Sequence, residues 1–283
     1  MPDKPKRALC VGINEFAHLP TSSWLNGCVN DAHDLAAWLK TRDGFAANDI
    51  TVLADADATK TAVMTALTAI VDEATSGTVG HVVFTFSSHG TQVPDTNGDE
   101  TVDHADEAFA CYDIDRSGAD WDRDTVIVDD ELHALLASIP KDVLVEVMLD
   151  TCHSGTGLRD VDLLSGRRPR FLPPPTVKGM RRVAAAKDTQ VLRDLVKATP
   201  ASTRPVLFAA CRSDQTAADA YFDGRYNGAF TYFLLKTVKA APDATRAAAL
   251  TRVSQELRSG DFQQRAQLEA PAKAKRAPFG AVG

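Results

Sequence analysis

Two apolar runs near the middle of the chain constrain its fold more than any other feature. His81–Phe86 leads into Ser87-Ser88-His89-Gly90, and Val143–Leu149 leads into Asp150-Thr151-Cys152-His153-Ser154-Gly155. Each run is too short for a typical helix, nearly continuous in apolar residues and closed by a glycine-containing turn. That is the pattern of a strand buried on both faces of a parallel sheet. In an open α/β sheet the chemistry gathers where such strands end. A histidine and a cysteine standing at two of these ends point to an enzyme.

The chain has 283 residues, 44% hydrophobic and 24% charged, enough for one large α/β domain. No apolar stretch reaches membrane-spanning length, and the residues from Met1 to Arg7 lack the apolar core of a secretory signal. The expectation is a cytoplasmic monomer with no membrane partner. Cys10, Cys28, Cys111, Cys152 and Cys211 are widely spread, with no Cys-x-x-Cys pair, so neither a disulfide framework nor a zinc finger is supported.

The net charge of −7 argues against a nucleic-acid partner, and it is unevenly spread. From Asp95 to Glu131, 14 acidic residues face only Arg116 and Arg123. Between Ser165 and Arg204 ten Lys or Arg face Asp188 and Asp194, with Pro173, Pro174 and Pro175 in succession. Such a stretch reads as an exposed basic, Pro-rich linker over residues 165–204. It divides one domain into a large portion, 1–164, and a small one, 205–283.

Strands are expected at Arg7–Ile13, Asp49–Leu53, Val82–Phe86, Val143–Leu149 and Val206–Ala210. Helices are expected at Asn30–Leu39, Thr59–Ala74, Asp129–Ser138, Asn227–Ala240 and Asp243–Leu257. Strands separated by helices imply parallel pairing through right-handed crossovers.

In chain order, Gly27-Cys28-Val29-Asn30-Asp31-Ala32, Ser87-Ser88-His89-Gly90, Asp106-Glu107, Val128-Asp129-Asp130-Glu131-Leu132, Asp150-Thr151-Cys152-His153-Ser154-Gly155 and the block from Ala210 to Asp219 resemble the blocks of metacaspases, caspase-like cysteine peptidases of which bacterial forms are known. The resemblance covers about residues 7–240. It implies the caspase-like α/β fold, a mostly parallel six-stranded sheet flanked by helices on both faces, and peptide-bond hydrolysis in protein or peptide substrates.

The residue chemistry agrees. A thiol at its ordinary pKa is mostly protonated at neutral pH, so a nucleophilic Cys152 needs a neighbouring base, and His89 at the end of an adjacent strand would supply it. The same imidazole would protonate the leaving amine. The backbone N–H groups of Gly90 and Cys152 are the expected oxyanion donors, because a glycine turn admits a substrate carbonyl closely. His153 is a weaker base, since adjacent residues of an extended chain face opposite ways. Read singly, Cys152 is an inert buried thiol and His89 a strand-end histidine bonded to backbone.

Asp150 lies two residues before the thiol, where a carboxylate opposes thiolate formation and so needs another use. The resemblance implies one: Asp31 and Asp150 line the S1 pocket, with Cys28 and Ser87 beside them, selecting Arg or Lys at P1. Two carboxylates in a desolvated slot favour a cation and penalise an acidic side chain. The plainer readings are that Asp31 caps the helix after it and Asp150 the turn after its strand.

The acidic stretch reads as a solvated loop, as an imperfect EF-hand, or, by the resemblance, as a calcium site. Asp106, Asp129 and Asp130 match three of the family's calcium-binding aspartates, and Arg159 with Asp160 one step later stands where the fourth belongs. Hard oxygen ligands favour Ca2+, taken as a possible activator and not a catalyst. If the S1 slot takes Arg or Lys, then Arg167, Arg168, Arg170, Lys178, Arg181, Arg182, Lys187 and Arg193 are candidate self-cleavage sites. Six residues separate Cys152 from Arg159, one more than a phosphate-wrapping thiolate loop allows, and no Gly-x-Ser-x-Gly elbow surrounds Ser154. The competing reading is a catalytically silent, calcium-binding caspase-like scaffold.

Overall fold

The computed structural model describes residues 4–42, 44–95, 105–153, 166–179, 205–212 and 215–282. Its strands are β1 (Lys6–Gly12), β2 (Ile50–Ala54), β3 (His81–Ser87), β4 (Gly90–Pro94), β5 (Ala105–Ala110), β6 (Arg116–Ser117), β7 (Asp120–Trp121), β8 (Val126–Val128), β9 (Leu144–Asp150), β10 (Arg168–Pro169), β11 (Val206–Ala209), β12 (Ala218–Phe222), β13 (Arg225–Gly228) and β14 (Gln267–Glu269). The helices are α1 (Cys28–Arg42), α2 (Lys60–Thr75), α3 (Asp129–Ala137), α4 (Ala229–Ala240), α5 (Arg246–Ser259) and α6 (Ala272–Lys275). None of the described helices is long and apolar enough to cross a membrane.

Six strands form the central sheet in the order β14-β11-β9-β3-β1-β2. All pairs are parallel except β11 with β14, so the expected mostly parallel sheet is present. Every residue of β3 is buried, as its unbroken apolar run requires. One core packs α2 and α3 on one face through Val63, Leu67, Leu132 and Leu136; the other packs α1, α4 and α5 through Leu35, Leu39, Phe230, Phe233 and Val253. Burying one such side chain stabilises the fold by about 1.5–3 kcal/mol, so the two layers hold the sheet from both sides. The sixth strand is Gln267–Glu269, and the tail beyond Pro271 starts with the short helix α6.

Two expectations are corrected. Part of the acidic stretch is the buried strand β5 (Ala-Asp-Glu-Ala-Phe-Ala), paired with β4 and β8 in an antiparallel sheet, and not a solvated loop. The linker is not exposed throughout its described stretch: β10 pairs antiparallel with β12, Arg170 is wholly buried and Leu172 is buried. Its polar backbone is drawn in because β12 leaves an edge for it to pair with.

Candidate active site

Strands β3 and β9 pair in parallel up to Ser87 opposite Asp150. Two residues further along each chain stand His89 and Cys152, both buried. The sheet thus brings imidazole and thiol to one end of neighbouring strands. His89 donates its Nε2–H to the Ser23 carbonyl at 2.7 Å and leaves Nδ1 buried without a hydrogen-bond partner. That tautomer follows because the carbonyl can only accept. Burial, reinforced by the Arg170 charge, lowers the His89 pKa to about 4, against the raising influence of the Ser23 bond. The imidazole is therefore neutral near pH 7, with a free lone pair.

The Cys152 thiol donates to the Gln215 carbonyl at 2.6 Å and is not bonded to His89 Nδ1. A second thiol lies beside it: Cys211 reaches the same Gln215 carbonyl at 3.4 Å and interacts with Cys152. That interaction, together with burial, holds the Cys211 thiol well above the ordinary range. His153 faces the other way, as extended geometry demands. It contacts the Thr91 carbonyl at 3.3 Å, Thr151 Oγ1 at 3.3 Å and the edge of Phe109, with Glu107 at 3.6 Å.

Gly90 and Cys152 direct their backbone N–H groups at one atom, the carbonyl oxygen of Arg170, at 2.9 and 3.3 Å. Only glycine fits here: a Cβ at residue 90 would lie 2.2 Å from the Cys152 carbonyl oxygen. The Arg170 carbonyl also faces the His89 imidazole.

The Arg170 side chain enters a closed acidic slot. Its Nη2 meets Asp31 Oδ2 at 2.7 Å and Asp219 Oδ1 at 3.1 Å, and its Nη1 meets Asp150 Oδ1 at 3.2 Å and the Asp150 carbonyl at 3.1 Å. The guanidinium and the Asp31 and Asp219 side chains are 0% exposed. Each carboxylate has further support. Asp31 Oδ1 accepts from Asn227 Nδ2 at 2.9 Å and Gly228 N at 3.0 Å, Asp150 Oδ2 accepts from Thr231 N at 3.0 Å and its hydroxyl at 2.7 Å, and Asp219 accepts from Asn26 N and Gly27 N. The α1 terminus is served by Asn14, whose Oδ1 accepts from Cys28 N at 2.8 Å, so Asp31 is released for the slot. Burial and the Asp150 charge push the Asp31 pKa up to about 7 despite the neighbouring guanidinium. Cys28 lies within the influence of all four charged groups, and Ser87 is buried opposite Asp150. Gly228 closes the slot: a Cβ there would lie 2.2 Å from Asp150 Oδ2 and 2.5 Å from Arg170 Nη1.

Among the calcium candidates, Asp106 is buried, and its Oδ2 accepts from Arg123 Nη1 at 2.7 Å. Burial raises its pKa, opposed by Arg123 and assisted by Asp95 and Asp130. Asp129 and Asp130 open α3, where Glu131 caps Val128 N and pairs with Lys60. Among the described residues no three His, Cys, Asp or Glu side chains are arranged to hold a metal ion. Among the calcium candidates in the described residues, Asp106 is paired with the cationic side chain of Arg123. Asp160, Arg181, Arg182, Lys187 and Arg193 lie outside the described residues. Lys178 is exposed.

Three contributors escaped the sequence reading. Asp219 has no local signal beyond its place in the block from Ala210 to Asp219. Gln215 and Cys211 carried none. Arg170 was one candidate among eight, and its neighbours Arg167 and Arg168 occupy different positions along the same docked segment.

Residues 5–277 match the family model described as Caspase domain. Metacaspase-1 of Cryptococcus neoformans var. neoformans serotype D (strain JEC21) is 28% identical over 94% of this chain, which spans 62% of that relative's length. Metacaspase-1B of Aspergillus oryzae is 28% identical, over 93% of this chain and 67% of its own. A solved structure of a protein from Geobacter sulfurreducens superposes with a TM-score of 0.64 at 25% identity, covering 98% of this chain and 99% of that one. Caspase-1 from Spodoptera frugiperda shares the fold, with a TM-score of 0.58 at 12% identity, over 95% and 87%.

Proposed function

Because the chain belongs to the caspase domain family and carries its fold, we propose that it is a cysteine endopeptidase that cuts peptide bonds after arginine, and less well after lysine. One observation supports this above the others: Arg170 lies as a P1 residue would, its carbonyl between the amides of Gly90 and Cys152 and its guanidinium among Asp31, Asp150 and Asp219. The Arg170–Phe171 bond is then the one the chain cuts in itself.

In this reading the Cys152 side chain turns from the Gln215 carbonyl toward the P1 carbonyl carbon and gives its proton to His89 Nδ1. The S–C bond forms as the C=O electron pair moves to oxygen, where the two amides hold the charge. Collapse expels the amine, which takes the proton from His89, and water attacks the thioester by the same path in reverse. His89 suits the first step because burial keeps it unprotonated. Three carboxylates disposed around a planar fork favour arginine over lysine, whose ammonium is a single point of charge.

The test is hydrolysis of coumarin peptides ending in Arg, Lys or Asp. Cleavage after Arg should exceed that after Lys by roughly tenfold, with none after Asp. Cleavage after Asp, or of none of the three, would discard the proposal, the latter in favour of a silent scaffold.

A pH dependence follows. Asp31 titrates at about 7 with a guanidinium in the slot and higher without one, so docking releases a proton above about pH 7 and tightens as pH rises from there toward the empty-slot value. His89, held down to about 4, sets no limit in that range. Between about pH 6 and pH 9, kcat/KM for the arginyl peptide should stay level below about 7 and rise above it, and Asp31→Asn should flatten the rise. A level wild-type profile would contradict the assignment of Asp31.

A further inference from the structure

The docked segment continues beyond the slot. Taking Arg170 as P1, Pro169 is P2, Arg168 is P3 and Arg167 is P4. The segment adds to the edge of β12, with Arg168 opposite Asp219, Pro169 opposite Ala218 and Arg170 N donating to the Ala217 carbonyl at 2.9 Å. Main-chain pairing of this kind holds any sequence, and the side-chain sites confer preference.

At P4 there is such a site. The Arg167 guanidinium lies 3.9 Å over the centre of the Phe262 ring. Its Nη1 donates to the Asp261 carbonyl at 2.8 Å and its Nη2 to the Gly260 carbonyl at 2.7 Å. These carbonyls belong to the turn that ends α5, where Gly260 N closes on Glu256 O and Asp261 takes a left-handed backbone at φ 58°. The turn leaves both oxygens facing outward at the negative end of the helix dipole. Phe262 is buried and packs edge-on against Phe233 and tilted against Phe222, so the shelf is built into the small portion of the fold. Arg168, by contrast, reaches a single carbonyl, that of Trp24, from an exposed position.

We propose that Phe262 and the carbonyls of Gly260 and Asp261 form a second cation-reading subsite, which selects arginine at P4. The preferred substrates are then protein segments of the pattern Arg-x-x-Arg, cut after the second arginine. This rests on the reading of Arg170 as P1. Lysine is a poorer P4 residue, because one ammonium cannot place two in-plane donors on two carbonyls while stacking flat on the ring. Glutamate is the poorest, since its oxygens would meet carbonyl oxygens.

Coumarin peptides X-Arg-Pro-Arg, with X as Arg, Lys, Ala or Glu, test the subsite on the full chain. Arg over Ala at P4 should raise kcat/KM about tenfold, the order expected from one stacked cation and two charge-assisted hydrogen bonds. In Phe262→Leu the Arg/Ala ratio should fall below about threefold, because the cation–π part is lost while apolar packing is kept. The ratio is internal to each preparation, so a partly unfolded variant does not disturb it. Equal rates for Arg and Ala in the wild-type chain overturn the subsite while leaving arginine cleavage standing.

Hydrolysis of none of the peptides overturns the peptidase reading instead. The P4 contact is then read by fluorescence anisotropy with fluorescein-labelled Arg-Arg-Pro-Arg and Ala-Arg-Pro-Arg on a Cys152→Ala/Arg167→Ala/Arg170→Ala chain, in which the slot and the shelf are both vacated. At least fivefold tighter binding of the first sustains the subsite, and equal binding overturns it.

Discussion

A Cys152→Ala chain should keep its 165–204 segment uncut and lose turnover of an arginyl coumarin peptide by at least about 10⁴-fold, as loss of a nucleophile does when the remaining site only binds and polarises the carbonyl. The expectation is sharpened by Cys211, a second sulfur at the same place. It shares the Gln215 carbonyl with Cys152, so proximity alone would let it stand in. Burial and the neighbouring thiol hold its proton firmly, however. Cys211→Ala should therefore retain turnover. In the wild-type chain, mass spectrometry after incubation should find one new C-terminus at Arg170 and one new N-terminus at Phe171, both missing from Cys152→Ala. Turnover that survives in Cys152→Ala and vanishes in Cys211→Ala would transfer the nucleophile to the wrong strand and break the mechanism. Self-cleavage confined to other residues would remove the significance of the Arg170 pose.

What the sequence disclosed, and what it hid, divides by the range of the interaction. The strands β3 and β9 were legible because their burial on both faces is written locally, as apolar runs that stop at glycine turns. His89 and Cys152 were legible because parallel neighbours of matched length deliver their ends together. Strand β5 was not, because Asp106 and Glu107 give it the look of a polar loop; Arg123 beside Asp106, His153 beside Glu107 and the surrounding sheet make its burial tolerable. Arg170 was the hardest. Three prolines and many cations mark its neighbourhood as exposed, and nothing within a dozen residues contradicts that. Its burial is set by Asp31, 139 residues away, and Asp219, 49 residues away. The same distance hid Asp219, whose carboxylate became readable only once β12 brought it to the slot.

Arg170→Ala should cost the folded chain about 3–5 kcal/mol, the penalty for removing one partner of a buried ion pair, because Asp31, Asp150 and Asp219 are then left together without a cation. The dependence on pH identifies the cause. Asp31 already has its pKa pushed up to about 7 with the guanidinium in place, and removing that charge raises it further. A carboxylate whose folded-state pKa lies above its unfolded value destabilises the fold increasingly as pH rises from the unfolded pKa toward the folded one. The deficit of Arg170→Ala against wild type should therefore be smallest near pH 5, where protonation relieves the slot, and largest near pH 8. A small guanidinium compound that enters the vacated slot should restore stability as it saturates, by roughly 2.7 kcal/mol at a hundred times its dissociation constant, whereas urea at the same concentration, carrying no charge, should not. Denaturant titrations at the two pH values decide the matter. A deficit independent of pH, or one insensitive to the guanidinium compound, would mean that Arg170 acts as packing and that the three carboxylates are not a cation pocket. If the deficit behaves as argued, the intact chain owes part of its stability to holding its own arginine where a substrate's would go, and cutting the bond after Arg170 would make that contribution reversible.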